Sequence, residues 1–227
     1  MQRAVVFDLF GTLVPAQDER AYARDVAAMA AVLDVDPGAF APVWAETARA
    51  RHRGDFLAIE DNLRFICRRL GRPASPEAVR KAVAVRERAV ETALDPRPDA
   101  FRVLSDLRGR GLRIGLLTNC SAEVPELFER SPLAPLVDAA VFSCREGTRK
   151  PDERMYRLVC SRLDVDPGDC VYVGDGANRE LTAAAAVGMR AIRLAAPGET
   201  ENGYRLEDDE WAGPTIRSLL DLVRRQS

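Results

Sequence analysis

AVVFDLFGTLV, residues 4–14, is the stretch on which the reading of this chain turns. A short apolar run ends at Asp8, and Gly11 and Thr12 come directly after it. An uninterrupted apolar run of this length suits a parallel strand buried on both faces. Ligands of open parallel sheets bind at the carboxyl ends of the strands. Asp8, Gly11 and Thr12 are therefore candidate site residues. Phe10 stands two residues past Asp8, where a second carboxylate would otherwise supply a proton donor.

The texture changes after Pro15. Residues 18–35, 37–53, 56–70 and 75–94 are rich in Ala, Arg and Leu at helical spacing, and Ser75-Pro76-Glu77 reads as a helix start. Gly54, Gly71 and Pro73 punctuate this block, which holds no strand candidate. DPRPDA, residues 95–100, is a proline-stiffened joint. Beyond it, strand patterns at 113–119, 139–143, 170–175 and 190–194 alternate with helical patterns near 99–110, 122–130, 152–163 and 178–187. Such alternation predicts an α/β, doubly wound parallel sheet with helices on both faces. The expected organisation is a core of residues 1–15 and 96–227 with an all-helical domain, 16–95, inserted after the first strand. Residues 199–210 read as an acidic loop and 214–225 as a closing amphipathic helix.

Composition narrows the function classes. The chain has 227 residues, 47% of them hydrophobic, and a formal charge of -2. That balance gives no electrostatic reason to expect nucleic acid or an anionic membrane as partner. Five cysteines without CxxC spacing read as reduced core residues of a cytoplasmic protein. No apolar run is long enough to span a bilayer. A single histidine, His52, leaves no room for a multi-histidine metal site and argues against a histidine-based triad. Lys81 and Lys150 are the only lysines in a chain that otherwise uses arginine, so Lys150 stands out.

The carboxyl ends of the expected strands bring together one set of groups. The first strand gives Asp8, the second Thr118 and Asn119, the third leads to Lys150, and the fourth gives Asp175 with Glu180 close behind. Asp8 can attack an electrophile as a carboxylate nucleophile. Thr12, Thr118, Asn119 and the backbone N–H groups of the Gly11 turn can hold a tetrahedral anion. Lys150 can neutralise developing negative charge. Asp8, Asp175 and Glu180, with the Phe10 position, form an oxygen-donor set suited to Mg2+. Arg51 of the helical block can reach an anionic substrate.

VVFDLFGTL, LLTN, RKPD and VYVGDGANRE, in this order and with a helical insert after the first, resemble the four motifs of the haloacid dehalogenase superfamily. The resemblance implies a Rossmann-like core with a helical cap. It also implies catalysis through a covalent intermediate on Asp8, with Thr118 as the second-motif hydroxyl and Lys150 as the third-motif base. Phosphatases of that superfamily carry a second aspartate where this chain has Phe10. A positioned acid/base is worth roughly 10²–10⁴ in rate, so hydrolysis of simple alkyl phosphates should suffer while good leaving groups are spared. The dehalogenase branch has an aromatic residue at that position and lacks the acid that Asp175 represents.

Three readings are open at this point. The first is a Mg2+-dependent phosphohydrolase acting on a small, anionic metabolite. The second is a metal-free carbon–halogen hydrolase, and the third is a binding protein that keeps the fold. Cys120 is expected to be a packed core thiol, Arg53 a solvated cation, Trp44 and Phe56 core residues of the helical insert, and His52 a surface residue.

Overall fold

The computed structural model describes residues 2–199 and 209–224. Within them lies a six-stranded sheet of order β3-β2-β1-β4-β5-β6. Its strands are β1 Ala4–Phe7, β2 Arg113–Thr118, β3 Ala139–Phe142, β4 Cys170–Gly174, β5 Arg190–Leu194 and β6 Thr215–Ile216. Every pairing is parallel, with Phe7 opposite Leu116 on one side and Val173 on the other. The chain order reverses about β1, the place where doubly wound sheets leave a crevice for ligands.

The apolar run of β1 is uninterrupted because both faces are covered. Val5 and Phe7 join a cluster with Leu104, Leu116, Val173 and Leu194. Ala4 and Val6 join a second cluster with Tyr156, Val159, Tyr172 and Leu181. Helices α6 Ala100–Gly109, α7 Val124–Glu129, α8 Ser143–Glu146, α9 Glu153–Leu163, α10 Glu180–Ala186 and α11 Leu220–Arg224 connect the strands or close the chain.

Between β1 and α6 lie five helices: α1 Glu19–Val32, α2 Pro37–Glu46, α3 Ala48–Arg53, α4 Ile59–Arg69 and α5 Pro76–Ala93. Their starts are chemically marked. Asp18, Asp36 and Ser75 each accept a backbone N–H three residues on, and Pro37 and Pro76 occupy first-turn positions. These helices bury their own cluster, including Met29, Phe40, Trp44, Leu63, Ile66 and Val79. The end of α5 leaves that cluster, because Val90 and Leu94 pack with the sheet residues instead. Among the described residues, no single helix is long and apolar enough to cross a membrane.

Two expected elements differ. The helix expected over 37–53 breaks at Thr47, whose hydroxyl donates to the carbonyls of Val43 (3.1 Å) and Trp44 (3.0 Å). A threonine that binds the preceding turn competes with the helical ladder, and Arg51 then takes the Trp44 carbonyl at 2.7 Å. The closing helix is confined to α11, since Thr215 and Ile216 are recruited as an edge strand on β5. Most of the acidic stretch 199–210 lies outside the described residues.

Candidate active site

Asp8 leaves the end of β1 with its N–H bonded to the Val173 carbonyl at 2.9 Å, which fixes it between β1 and β4. Gly11 has φ +79°, and a Cβ there would sit 2.5 Å from Asp175 Oδ2. Only glycine combines that backbone conformation with that approach, so the turn after Asp8 lies directly against the acid from β4.

Lys150 is the centre of the charge network. Its Nζ donates to Asp8 Oδ1 and to Glu180 Oε2, both at 2.5 Å, and to the Tyr172 hydroxyl at 3.2 Å. Lys150, Asp8 and Glu180 are all buried. The two carboxylates outweigh the cost of burying the ammonium, so Lys150 is held protonated well above its ordinary range. Burial pushes the Asp8 carboxyl up to about 8, with Lys150 pulling it down and Glu180 and Asp175 adding to the rise.

Glu180 has a full set of partners. Besides Lys150, its Oε2 accepts from the Tyr172 hydroxyl at 2.7 Å, and its Oε1 accepts from Gly176 N–H at 3.0 Å. The sequence marks it as a metal acid, and it sits within the same carboxylate cluster. Asp8, Asp175 and Glu180 offer ligand atoms that all lie within 4.8 Å of one another. If ionised, three carboxylates against one ammonium leave an excess of negative charge that a cation would relieve. The set contains only hard oxygen donors, as Mg2+ requires.

The hydroxyls expected to hold an anion are oriented by nothing else. Thr12 Oγ1 and Thr118 Oγ1 are both buried and have no hydrogen-bond partner. Buried hydroxyls are costly to leave unpaired, and both stand at the ends of the strands that deliver Asp8 and Asn119. Asn119 differs from expectation in its engagement. Its side chain accepts from Lys150 N–H at 2.8 Å and donates to the Lys150 carbonyl at 3.2 Å, so it fixes the lysine segment.

A cavity of about 140 Å³ opens over these groups, except that the buried Thr12, expected at the site, and Glu180 do not line it. Asp8, Gly11, Thr118, Asn119, Lys150 and Asp175 line its floor, and Tyr22, Arg51, His52 and Arg86 of the helical insert line its wall. Phe10 also lines it, with the rest of its ring packed against the sheet cluster. The Phe10 position therefore brings no side-chain oxygen to the metal set: an apolar surface occupies the place of the missing carboxylate.

Arg51 borders the cavity but is built into the insert. Its guanidinium stacks 3.7 Å from the Trp44 ring centroid, and Nη1 donates to Trp44 O, Thr47 Oγ1 and Asn62 Oδ1. Trp44 is buried in the insert as expected, whereas Phe56 is half-buried against Phe65. Arg53 is exposed beside Asp55. Cys120 does line the cavity, yet burial pushes its thiol well up and suits it to packing. His52 is not a surface residue: it is half-buried in the cavity wall, with Nδ1 buried and unpartnered.

Other residues emerge only from the folded chain. Arg86 of α5 donates to Glu123 Oε1 at 2.7 Å, and both side chains are largely buried. Burial alone would raise Glu123, but the Arg86 guanidinium outweighs it and holds the carboxyl below its ordinary range. The pair therefore ties the insert to the core at the cavity rim. Arg97, from the joint after α5, donates to the carbonyls of Gly11 (3.0 Å) and Thr12 (2.8 Å) and pairs with Glu199. Glu199 Oε2 also accepts from Ala16 N–H at 2.9 Å, so one ion pair clasps both connections between core and insert.

Comparison with known proteins agrees with this architecture. The chain is 28% identical to a glyceraldehyde 3-phosphate phosphatase of Methanopyrus kandleri over 70% of each protein. It is 28% identical to a ribulose-1,5-bisphosphate 5-phosphatase of Halopiger xanaduensis over 98% of each. Some other curated relatives are matched over about half their length. Its fold superposes on an L-2-haloacid dehalogenase from Xanthobacter autotrophicus with a TM-score of 0.65 at 21% identity, covering 99% of this chain and 98% of that one. Residues 2–188 match the family model of haloacid dehalogenase-like hydrolases, and the chain belongs to that family.

Proposed function

We propose that this hydrolase is a Mg2+-dependent phosphohydrolase acting on a small anionic metabolite, with Asp8 as nucleophile. The observation that carries the reading is the carboxylate cluster: Asp175 stands beside Asp8 in a buried site with one ammonium for three acids. A metal-free reaction with an anionic substrate would make that excess charge a liability. Asp8 and Asp175 would hold the ion, with Glu180 supporting the cluster from beneath Lys150. Bound Mg2+ would screen the phosphoryl oxygens from the anionic nucleophile.

The protein groups divide the remaining work. The Thr118 hydroxyl and the N–H groups of the Gly11 turn hydrogen-bond the phosphoryl oxygens. An Asp8 oxygen attacks phosphorus, and the bond to the leaving oxygen breaks with its electron pair. Water then attacks phosphorus, releasing phosphate and restoring the carboxylate. Lys150, protonated throughout, balances the charge that moves between Asp8 and phosphorus. Phe10 offers no proton to the leaving oxygen, so the reading favours acyl and aryl phosphates over alkyl phosphates. A positioned acid contributes about 3–5 kcal/mol of barrier lowering.

Phosphate release from acyl, aryl and alkyl phosphates, with Mg2+ or with EDTA, tests this reading. Turnover should require Mg2+ and Asp8 and should fall steeply at alkyl esters. One observation favours a second reading: Phe10 places an aromatic ring beside the nucleophile, as in carbon–halogen hydrolysis. Halide release from 2-haloacids that survives EDTA, without phosphate release, would establish that alternative.

A further inference from the structure

The only histidine of the chain is a polar group for which the phosphohydrolase mechanism has no use. His52 sits on α3, in the wall of the cavity whose floor carries Asp8. Its Nδ1 is buried without a hydrogen-bond partner. The largest electrostatic influences on it come from cations: Arg51 on its own helix, Arg86 on α5, and Arg149 and Lys150 beyond β3.

We infer that His52 reads a second anionic group of the substrate, a carboxylate or phosphate carried on the part that faces the insert while the reacting phosphoryl group lies on Asp8. The inference rests on the phosphohydrolase reading and narrows its substrate class to doubly anionic metabolites. Two observations converge on it. A buried, unpartnered ring nitrogen on a residue that lines the cavity calls for a hydrogen bond that a ligand would supply. The largest charges bearing on the ring are cations, two of which, Arg86 and Lys150, are already paired with carboxylates, and their net influence favours an anion over a neutral hydroxyl or amide.

The same surroundings argue against the obvious alternative, that His52 replaces the proton donor missing at Phe10. Burial and the neighbouring cations hold the imidazole down at about 3. An imidazole in that state is neutral at about pH 7: its remaining N–H can donate a hydrogen bond but does not act as a general acid. An anion placed against it would offset the cations and strengthen a hydrogen bond from the ring. His52 is thus a specificity residue that touches substrate at the end remote from the chemistry.

The test uses two non-hydrolysable probes that differ by one carboxylate, 3-phosphonopropanoate and propylphosphonate, with Mg2+ present and binding measured by calorimetry. The intact protein should prefer 3-phosphonopropanoate by about tenfold or more, as expected for one hydrogen bond to a charged group. His52→Phe should lose that preference while still binding propylphosphonate. Nitrogen NMR of the single histidine supplies a reading that needs no variant: its signal should move with 3-phosphonopropanoate and stay with propylphosphonate. Equal affinity for both probes, or a preference that leaves the histidine signal unmoved, would overturn the inference and leave the phosphohydrolase reading standing. Failure of both probes to bind would overturn both.

Discussion

Lys150 Nζ lies 2.5 Å from Asp8 Oδ1, and both groups are buried. The ammonium is shared with Glu180, so the charge of Asp8 is set by a pair of contacts that join the end of β1 to α10 through one lysine. Removing the cation leaves two buried carboxylates facing each other. Lys150→Met should cost about 3–5 kcal/mol of stability at neutral pH, as for other broken buried pairs. Adding Asp8→Asn should recover part of that loss. Urea denaturation of the two single variants and the double variant measures it, and strictly additive losses would show that the pair is not coupled.

On the proposed reading Mg2+ should stabilise the folded chain, because the unfolded chain lacks the Asp8–Asp175 site that would hold it. At a hundredfold excess over its dissociation constant, the expected gain is about 2.7 kcal/mol. Asp175→Asn should abolish most of it. Thermal unfolding with Mg2+ against EDTA gives the comparison, and an equal gain in the variant would remove Asp175 from the metal set.

His52 gives the stability a pH signature. Its folded value is held down at about 3 against an ordinary 6.5. Between those values the unfolded chain binds the extra proton, so stability falls as pH drops below about 6.5. One such group contributes up to about 1.4 kcal/mol per pH unit. The intact protein should therefore lose more stability than His52→Asn between pH 7 and pH 5. Parallel slopes in denaturant titrations would show that the imidazole is free to charge in the folded state.

Gly54 is the point where the insert touches α8. Its φ is +77°, and a methyl group there would overlap the Cys144 carbonyl. Gly54→Ala should cost about 1–3 kcal/mol, the range for a side chain forced into this backbone region. Because α3 carries His52 and Arg51, the same change should raise KM for the preferred substrate. Unchanged stability and KM would mean that the contact yields without consequence.

Much of this molecule is legible in the sequence because its decisive elements are local. The apolar run before Asp8, the proline and serine helix starts and the alternation after residue 100 each specify an element without reference to distant residues. The convergence of Asp8, Thr118, Lys150 and Asp175 on one cavity is legible because they lie at or beyond strand ends, which meet at one edge of a parallel sheet. The features that escape depend on contacts distant in sequence. Glu180 finds Lys150 and Tyr172 from thirty and eight residues away, so its spacing alone does not say that both oxygens are taken. Asn119 turns to the Lys150 backbone across a separation of 31 residues. His52 reads as a surface group because its helix is short and arginine-rich, and only the docking of α3 against α8 at the cavity brings the ring inward. The break at Thr47 has one local signal, a threonine in mid-helix, which is too common to decide anything alone.

The central claim is that Asp8 carries the phosphoryl group during turnover. Acid quenching of the enzyme in the presence of an aryl phosphate and Mg2+, with peptide mass analysis of the quenched protein, examines it directly. The account predicts that the peptide containing Asp8 gains the mass of one phosphoryl group on that aspartate, and that Asp8→Asn shows neither the adduct nor turnover. Sustained phosphate release with no adduct on Asp8, or undiminished release by Asp8→Asn, would contradict it.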